Sequence, residues 1–372
     1  VLDAETPHWR NASLTAPIRW SASDPLEPLT RRMFLLDAQA PPVSHDDVDI
    51  VVERWNPGTA EDSELEEAFG LLVDAHYRTS PGDLRQWMDD PAAVSWRLTR
   101  GGVLVGVLWA TVEGGLDSVL AEQVMLGKRR LRGHLLPQSL ATHSGFAEAA
   151  CQRLLRIVRI AVSAEVRGEE LGQTLVAAAN DYACKQGLDG IGTSFGGNAG
   201  LLSFWRRCGL EPVRLGLKRE ASSGEYPLQL LTGMSAQGKA LTDHLRRRLT
   251  EHWLTLVPLN WMDAEPELIL RITCSLPAGR PLNEDDFRDL HSFAHGYRGF
   301  DLALPVLRRL SLQAGVVNGM AGERSRSLWA RAVLQGWSWP ELQANGECMG
   351  REAGEANLRS LVGDILQNRP DL

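Results

Sequence analysis

Cysteine is scarce and scattered: five residues (Cys151, Cys184, Cys208, Cys274 and Cys348) in a chain of 372, with no C-x-x-C pair. That spacing excludes a zinc ribbon and argues against a disulfide scaffold, so a reducing cytoplasm is the expected compartment. No apolar run approaches the ~18 residues of a membrane span. No basic-then-apolar segment opens the chain either, so no membrane partner is expected. The His-Glu-x-x-His pattern is missing, and no metal is expected. Repeats and low-complexity tracts are absent too. The first residue is Val1 rather than Met, which reads as a piece of something longer. What is present is ordinary for a globular chain, at 44% hydrophobic and 23% charged residues, with room for two or three domains of ~100–200 residues.

Charge is segregated. Residues 1–127 carry 9 basic and 21 acidic side chains, residues 128–248 carry 18 and 10, and residues 249–372 carry 12 and 16. The positive middle third suits an anionic partner, a phosphate-bearing cofactor or RNA, as well as a merely solvated basic face.

Residues 1–45 read as an irregular, proline-punctuated strip with one helix near Glu27–Leu36. From residue 46 to 233 the pattern is that of a mixed α+β sheet domain. Strands are expected at 49–53, 94–99, 103–112, 155–162, 188–193, 210–217 and 226–231, and a capping box at Ser63–Glu66 opens a helix. Helices at 169–186 and 199–208 sit between the later strands. Residues 234–372 read as a small helical domain, with segments near 236–253, 283–294, 301–313, 325–335 and 354–367.

Two motifs are decoys. Gly233–Ala240 matches a P-loop except that Ala240 lacks the hydroxyl for Mg²⁺. Gly192-Thr193-Ser194-Phe195-Gly196 matches a nucleophile elbow, but the repeated strand–helix units of a hydrolase do not precede it. The strongest chemical signal is the strand 155–162 followed by Arg167-Gly168-Glu169-Glu170-Leu171-Gly172-Gln173 and a helix. A loop at a helix N-terminus presents unpaired N–H groups to an anion such as a pyrophosphate. An ordinary strand-to-helix turn remains the plain alternative.

This order of elements and this loop resemble the GNAT acetyltransferase superfamily, whose acetyl-CoA loop reads Q/R-x-x-G-x-G/A. Arg167 and Gly172 match its ends, while Glu170 stands at the middle glycine. Several further stretches resemble the bacterial tRNA(Met) cytidine acetyltransferase family: Pro17-Ile18-Arg19-Trp20, His76-Tyr77-Arg78-Thr79-Ser80-Pro81, Arg132-Gly133 with Gln138-Ser139-Leu140, Phe204–Gly209 and Arg219–Gly224. The resemblance implies a GNAT-type mixed, twisted sheet flanked by helices over 46–233. It also implies a helical tRNA-binding tail over 234–372 and, over 1–45, the remnant of a helicase-like ATP-binding module.

The resemblance further implies acetyl transfer from acetyl-CoA to the exocyclic amine of the wobble cytidine of elongator tRNA(Met), ATP-dependent in full-length members. The backbone of Ile160, Ala161 and Val162 is expected to take the pantetheine arm, residues 167–173 the pyrophosphate, Arg207 a further coenzyme contact, and Arg19 ATP. RNA is expected along 128–159, led by Lys128, Arg129, Arg130 and Arg132. Spacing promotes no general base among His76, Tyr77, His134 and His143. The alternatives are a catalytically weakened RNA-binding module on the same fold, suggested by Glu170, or a GNAT enzyme acting on a protein or small amine.

Overall fold

The computed structural model describes residues 8–10, 12, 21, 23–43, 49–75, 79–221 and 223–369. Arg19, His76 and Tyr77 lie outside these residues. The first described helix, α1 (Leu26–Met33), buries none of its side chains. A seven-stranded sheet follows in the order β1-β2-β3-β4-β5-β7-β6. Its strands are β1 (Ile50–Trp55), β2 (Ala93–Arg100), β3 (Val103–Gly114), β4 (Arg153–Val162), β5 (Gly190–Gly196), β6 (Glu211–Leu215) and β7 (Pro227–Gly233). Gly101 and Gly102, both at positive φ (54° and 81°), close the β2–β3 hairpin, the geometry a two-residue turn requires.

Every strand pair is antiparallel except β4–β5. That parallel ladder spans only Leu154–Ile157 against Gly190–Thr193. Beyond it β4 stays with β3 through Val162, and β5 stays with β7 through Gly196, so the sheet forks. The Thr193 hydroxyl donates to the Ile157 carbonyl (3.2 Å) at the crotch. The β3–β4 register slips between Trp109 and Ala110, which leaves Val158 bulged one residue into the fork.

Helices α2 (Asp62–Ala75) and α3 (Pro81–Asp89) cover one face of the first strands, over Leu104, Val107 and Trp109. Between β3 and β4 the chain inserts α4 (Ser118–Met125), α5 (Leu135–Ser144) and α6 (Glu148–Cys151). Helix α5 crosses this same face so closely that a Cβ on Gly192 would meet Leu136 Cδ2 at 2.6 Å. The opposite face carries α7 (Leu171–Lys185) and α8 (Ala199–Arg207), which bury Leu171, Leu175, Leu202 and Trp205 on Leu155, Ile157 and Leu228.

The rest is helical: α9 (Ala236–Asn260), α10 (Pro266–Ser275), α11 (Glu284–His295), α12 (Phe300–Ser311), α13 (Val316–Gly319), α14 (Glu323–Trp329), α15 (Trp339–Ala344) and α16 (Arg351–Asn368). Its buried residues are continuous with those of the sheet, since Trp253, Trp261, Phe293, Leu307, Trp329 and Val362 join the cluster that holds Leu155 and Leu228. Trp261 Nε1 donates to the Gly216 carbonyl (2.7 Å), and the Tyr226 hydroxyl donates to Asp263 (2.5 Å). No described helix is long and apolar enough to cross a membrane.

Some local expectations are corrected. Helix α2 begins at Asp62, so Ser63 lies inside it and cannot cap it. The P-loop look-alike is a packing device: a Cβ on Gly238 would strike the Asp189 carbonyl oxygen at 1.7 Å. The N–H groups of Met234 and Ser235 already donate to that oxygen. Residues 192–196 form continuous strand rather than an elbow.

Candidate functional site

The fork and the loop beside it build the first half of the site. Ser163 N–H donates to the Val105 carbonyl (2.8 Å). Alternation along an antiparallel pair then turns the N–H of Ala161 into the β3 ladder, and those of Ile160 and Val162 toward the fork. Of the three residues expected to offer backbone donors there, Ala161 is therefore the exception.

After Val162 the chain makes one 3-10 turn (Ala164–Val166) and enters the loop. Gly168 has φ 94° and Glu170 φ 62°, and α7 starts at Leu171 with no side-chain cap. Among the described residues, the N–H groups of Arg167, Gly168, Glu170, Leu171 and Gly172 donate to no other backbone group, whereas Gln173 N–H is taken by the Glu170 carbonyl (2.9 Å). Clustered donors at alternating backbone hand, at the positive end of a 15-residue helix, form a concavity for an anion. The residues present fit a pyrophosphate.

Two acids flank this cradle. Glu169 is paired with Arg100, which is only 8% exposed at the end of β2. Glu170 is exposed, and its carboxylate has no partner among the described residues. A Cβ on Gly172 would meet the Phe204 ring at 3.0 Å, so glycine lets the tip of α7 sit against α8. At the end of α8, Arg206 pairs with Glu211 (3.5 Å), while Arg207 is exposed and makes no ion pair among the described residues. That leaves Arg207 available to a ligand. Neighbouring Cys208 is no nucleophile, because burial pushes its thiol up to about 11 against the smaller opposing pull of Arg207.

The second half lies across the sheet, on the α5 face. Arg159 on β4 pairs with Asp83 of α3 (3.2 Å). Burial pushes the Asp83 carboxyl up, but the Ser80 hydroxyl and N–H and the Arg159 guanidinium more than offset it, leaving it below the usual carboxylate range. From β5 to the sheet edge, Ser194, Gln229 and Arg214 stand directly opposite one another. Gln229 is buried and accepts from Ser139 of α5 (3.1 Å). His143 lies one turn further along α5, and burial followed by the charge of Arg214 holds its imidazole below the usual range. His134 is committed elsewhere, since its Nδ1 accepts from the Gly114 N–H (2.9 Å).

The basic stretch expected to bind RNA divides in two. Lys128, Arg129, Arg130 and Arg132 are exposed, with no side-chain hydrogen bond or ion pair among the described residues. Arg156 instead points inward to Glu113, itself fully buried (2.6 Å), and Arg159 is spent on Asp83. The run 128–159 is therefore not one continuous track. Sequence reasoning also passed over Arg100 and Arg214. The signal available for Arg214 was a cation inside an otherwise apolar strand, Pro212-Val213-Arg214-Leu215.

A family model for GNAT acetyltransferase 2 matches residues 67–187, and one for the helicase domain of RNA cytidine acetyltransferase NAT10/TcmA matches residues 1–37. The tRNA(Met) cytidine acetyltransferase TmcA of Nitrosococcus halophilus is 37% identical, over 97% of this chain and 50% of its own length. Its counterpart from Vibrio cholerae is 33% identical, over 99% and 51%. Among solved structures, Arabidopsis thaliana NAA60 in complex with acetyl-CoA is similar at 15% identity and a TM-score of 0.36, covering 50% of this chain and 99% of its own. The chain spans about half the length of the curated relatives it matches. It carries a GNAT sheet and belongs to the bacterial tRNA(Met) cytidine acetyltransferase family.

Proposed function

We propose that this chain transfers the acetyl group of acetyl-CoA to the exocyclic amine of the wobble cytidine of elongator tRNA(Met), giving N(4)-acetylcytidine. The observation that carries the reading is the forked β4–β5 pair opening beside an uncapped helix N-terminus, with five backbone N–H groups unspent among the described residues. Acetyl-CoA supplies an activated thioester. The amine's nitrogen forms the new bond to the acetyl carbon, the carbon–sulfur bond breaks, and the thiol leaves with a proton in exchange.

The amine is conjugated with its ring and a poor nucleophile, so positioning and polarisation carry the rate. The cradle at 167–172 holds the pyrophosphate, with Arg207 as a further cationic contact. The fork lets the pantetheine arm run beside β4, where Val162 N–H faces it. Donors there stabilise charge that develops on the carbonyl oxygen. The cytidine approaches from the α5 face, and Lys128, Arg129, Arg130 and Arg132 attract its backbone phosphates. ATP dependence belongs, in this reading, to the helicase-like module, of which residues 1–37 match only a strip.

The test is direct. Purified chain is incubated with acetyl-CoA and an elongator tRNA(Met) transcript, and nucleosides from the digested RNA are weighed by mass spectrometry. Acetylated cytidine at the wobble position supports the reading. Acetylation of free amines or peptides in preference to the tRNA would sink it.

A further inference from the structure

We infer that Arg214 binds a backbone phosphate of the acceptor nucleotide, making the row Ser194–Gln229–Arg214 the floor of a subsite that runs from the fork to the sheet edge. This rests on the reading that the acceptor is RNA.

The two faces of the fork are not equivalent. The cradle and α7 lie on one face, so a coenzyme seated there occupies that side. The acceptor is left with the other, between α3 and α5. Ser194 is the first β5 residue beyond the last β4–β5 pair, Ile157↔Thr193, and therefore stands at the mouth of the opening. Register then sets Gln229 opposite Ser194 and Arg214 opposite Gln229. Directly opposed residues of antiparallel strands project from the same face, and Ser139 of α5 confirms which face by bonding to Gln229. Two strand spacings of ~4.8 Å carry this row ~10 Å from the fork. That matches the span of one nucleotide from base edge to phosphate.

Four arginines of the sheet project on this face, and three are neutralised from within: Arg97 by Glu53 and Glu64, Arg156 by Glu113 and Arg159 by Asp83. Arg214 is half-buried, yet it forms no hydrogen bond or ion pair among the described residues. A guanidinium taken partly out of water without a carboxylate is costly to keep. A ligand anion recovers that cost. Burial already lowers its pKa without reaching deprotonation, and its charge adds to the burial that lowers the pKa of adjacent His143. The exposed cations at 128–132 lead into the same helix, α5, and favour a phosphodiester over an isolated carboxylate as the anion.

The experiment titrates an elongator tRNA(Met) anticodon stem–loop into wild type, Arg214→Met and Arg214→Lys. It uses natural RNA and RNA with one methylphosphonate on either side of the wobble cytidine, and acetyl-CoA is titrated in parallel. Arg214→Met is expected to weaken the natural RNA about tenfold or more, and Arg214→Lys less. One of the two neutral linkages should reproduce that loss in wild type and cost nothing further in Arg214→Met, with acetyl-CoA affinity constant throughout. Additive losses, or an equal loss of acetyl-CoA affinity, overturn the assignment. Competition for Arg214 by an acidic peptide but not by RNA overturns it as well. Wild type that binds acetyl-CoA but not the stem–loop overturns the RNA reading itself, and the inference with it.

Discussion

The two sides of the fork handle charge in opposite ways. On the loop side the positive potential comes largely from peptide N–H groups at the start of α7, flanked by two acids, Glu169 and Glu170, the first of them paired with Arg100. On the α5 side it comes from guanidinium groups, of which Arg156 and Arg159 are balanced by Glu113 and Asp83. A site made of backbone survives most substitutions, because no side chain supplies its donors. A site made of opposed side chains depends on each of them. The loop side should therefore respond to mutation by graded changes in coenzyme affinity, and the α5 side by failures of structure or of RNA binding.

The sharpest way to break that comparison is Glu113→Ala. It strands Arg156, and with it the N–H of Leu136, which Glu113 also accepts (2.9 Å). Leaving a buried charge unpaired costs about 3–5 kcal/mol, to be read as a lower urea midpoint. A change under ~1 kcal/mol would show that the pair relaxes into water.

Next in size, Arg129→Ala, Arg130→Ala and Arg132→Ala combined should flatten the slope of log affinity against log salt by about 2 for tRNA, at somewhat under one unit per lost contact. All tRNAs should weaken alike. An unchanged slope would move the phosphate contacts elsewhere. On the loop side, Arg100→Met removes the guanidinium that pairs with Glu169 beside the cradle and should weaken acetyl-CoA by roughly five- to tenfold, as seen in calorimetry.

Glu170→Gly should act the other way. It removes a second acid, and it relieves a left-handed residue worth about 1 kcal/mol of strain, so acetyl-CoA should bind a few-fold tighter and the chain should melt slightly higher. Weaker binding would mean the cradle faces another way.

The smallest effect is on pH dependence. The folded pKa of His143 lies below its unfolded value of about 6.5. Protons then favour the unfolded chain, so this contribution is complete above pH ~6.5 and declines as pH falls through that value. Arg214→Met should shallow the decline in urea titrations between pH 7 and 5.

What could be read from the sequence follows the same division. The β-branched run at 155–162 and the loop after it are local patterns, and β4 and α7 fall within a few residues of where they were expected. The fate of Arg156, Arg159 and Arg214 depends on Glu113, Asp83 and Gln229, residues on other elements of the fold, which periodicity does not encode. Helix α5 was not among the expected helices, and it carries Pro137. That proline occupies the first turn, where its absent N–H costs nothing. Helix α10 was missed because it is buried almost all round, with Leu268, Ile269, Leu270, Ile272 and Thr273 covered, so no polar face marks its period. Ser63 carries the composition of a cap but lies inside the helix, past the cap position at Glu61.

The sheet and the tail share one buried cluster, and the joint between them is made at β6 and β7. Trp261 grips the Gly216 carbonyl at the end of β6. Arg219 and Tyr226, from the connection that follows, both hold Asp263. These contacts tie the start of the tail directly to the β6–β7 pair. A tRNA seated on the helical tail would push on the strand pair that bears Arg214 and Gln229, so its load would be felt in the floor of the subsite, one strand from the fork. Hydrogen exchange in β6 and β7 should accordingly slow when RNA binds the tail alone, before any nucleotide enters the fork.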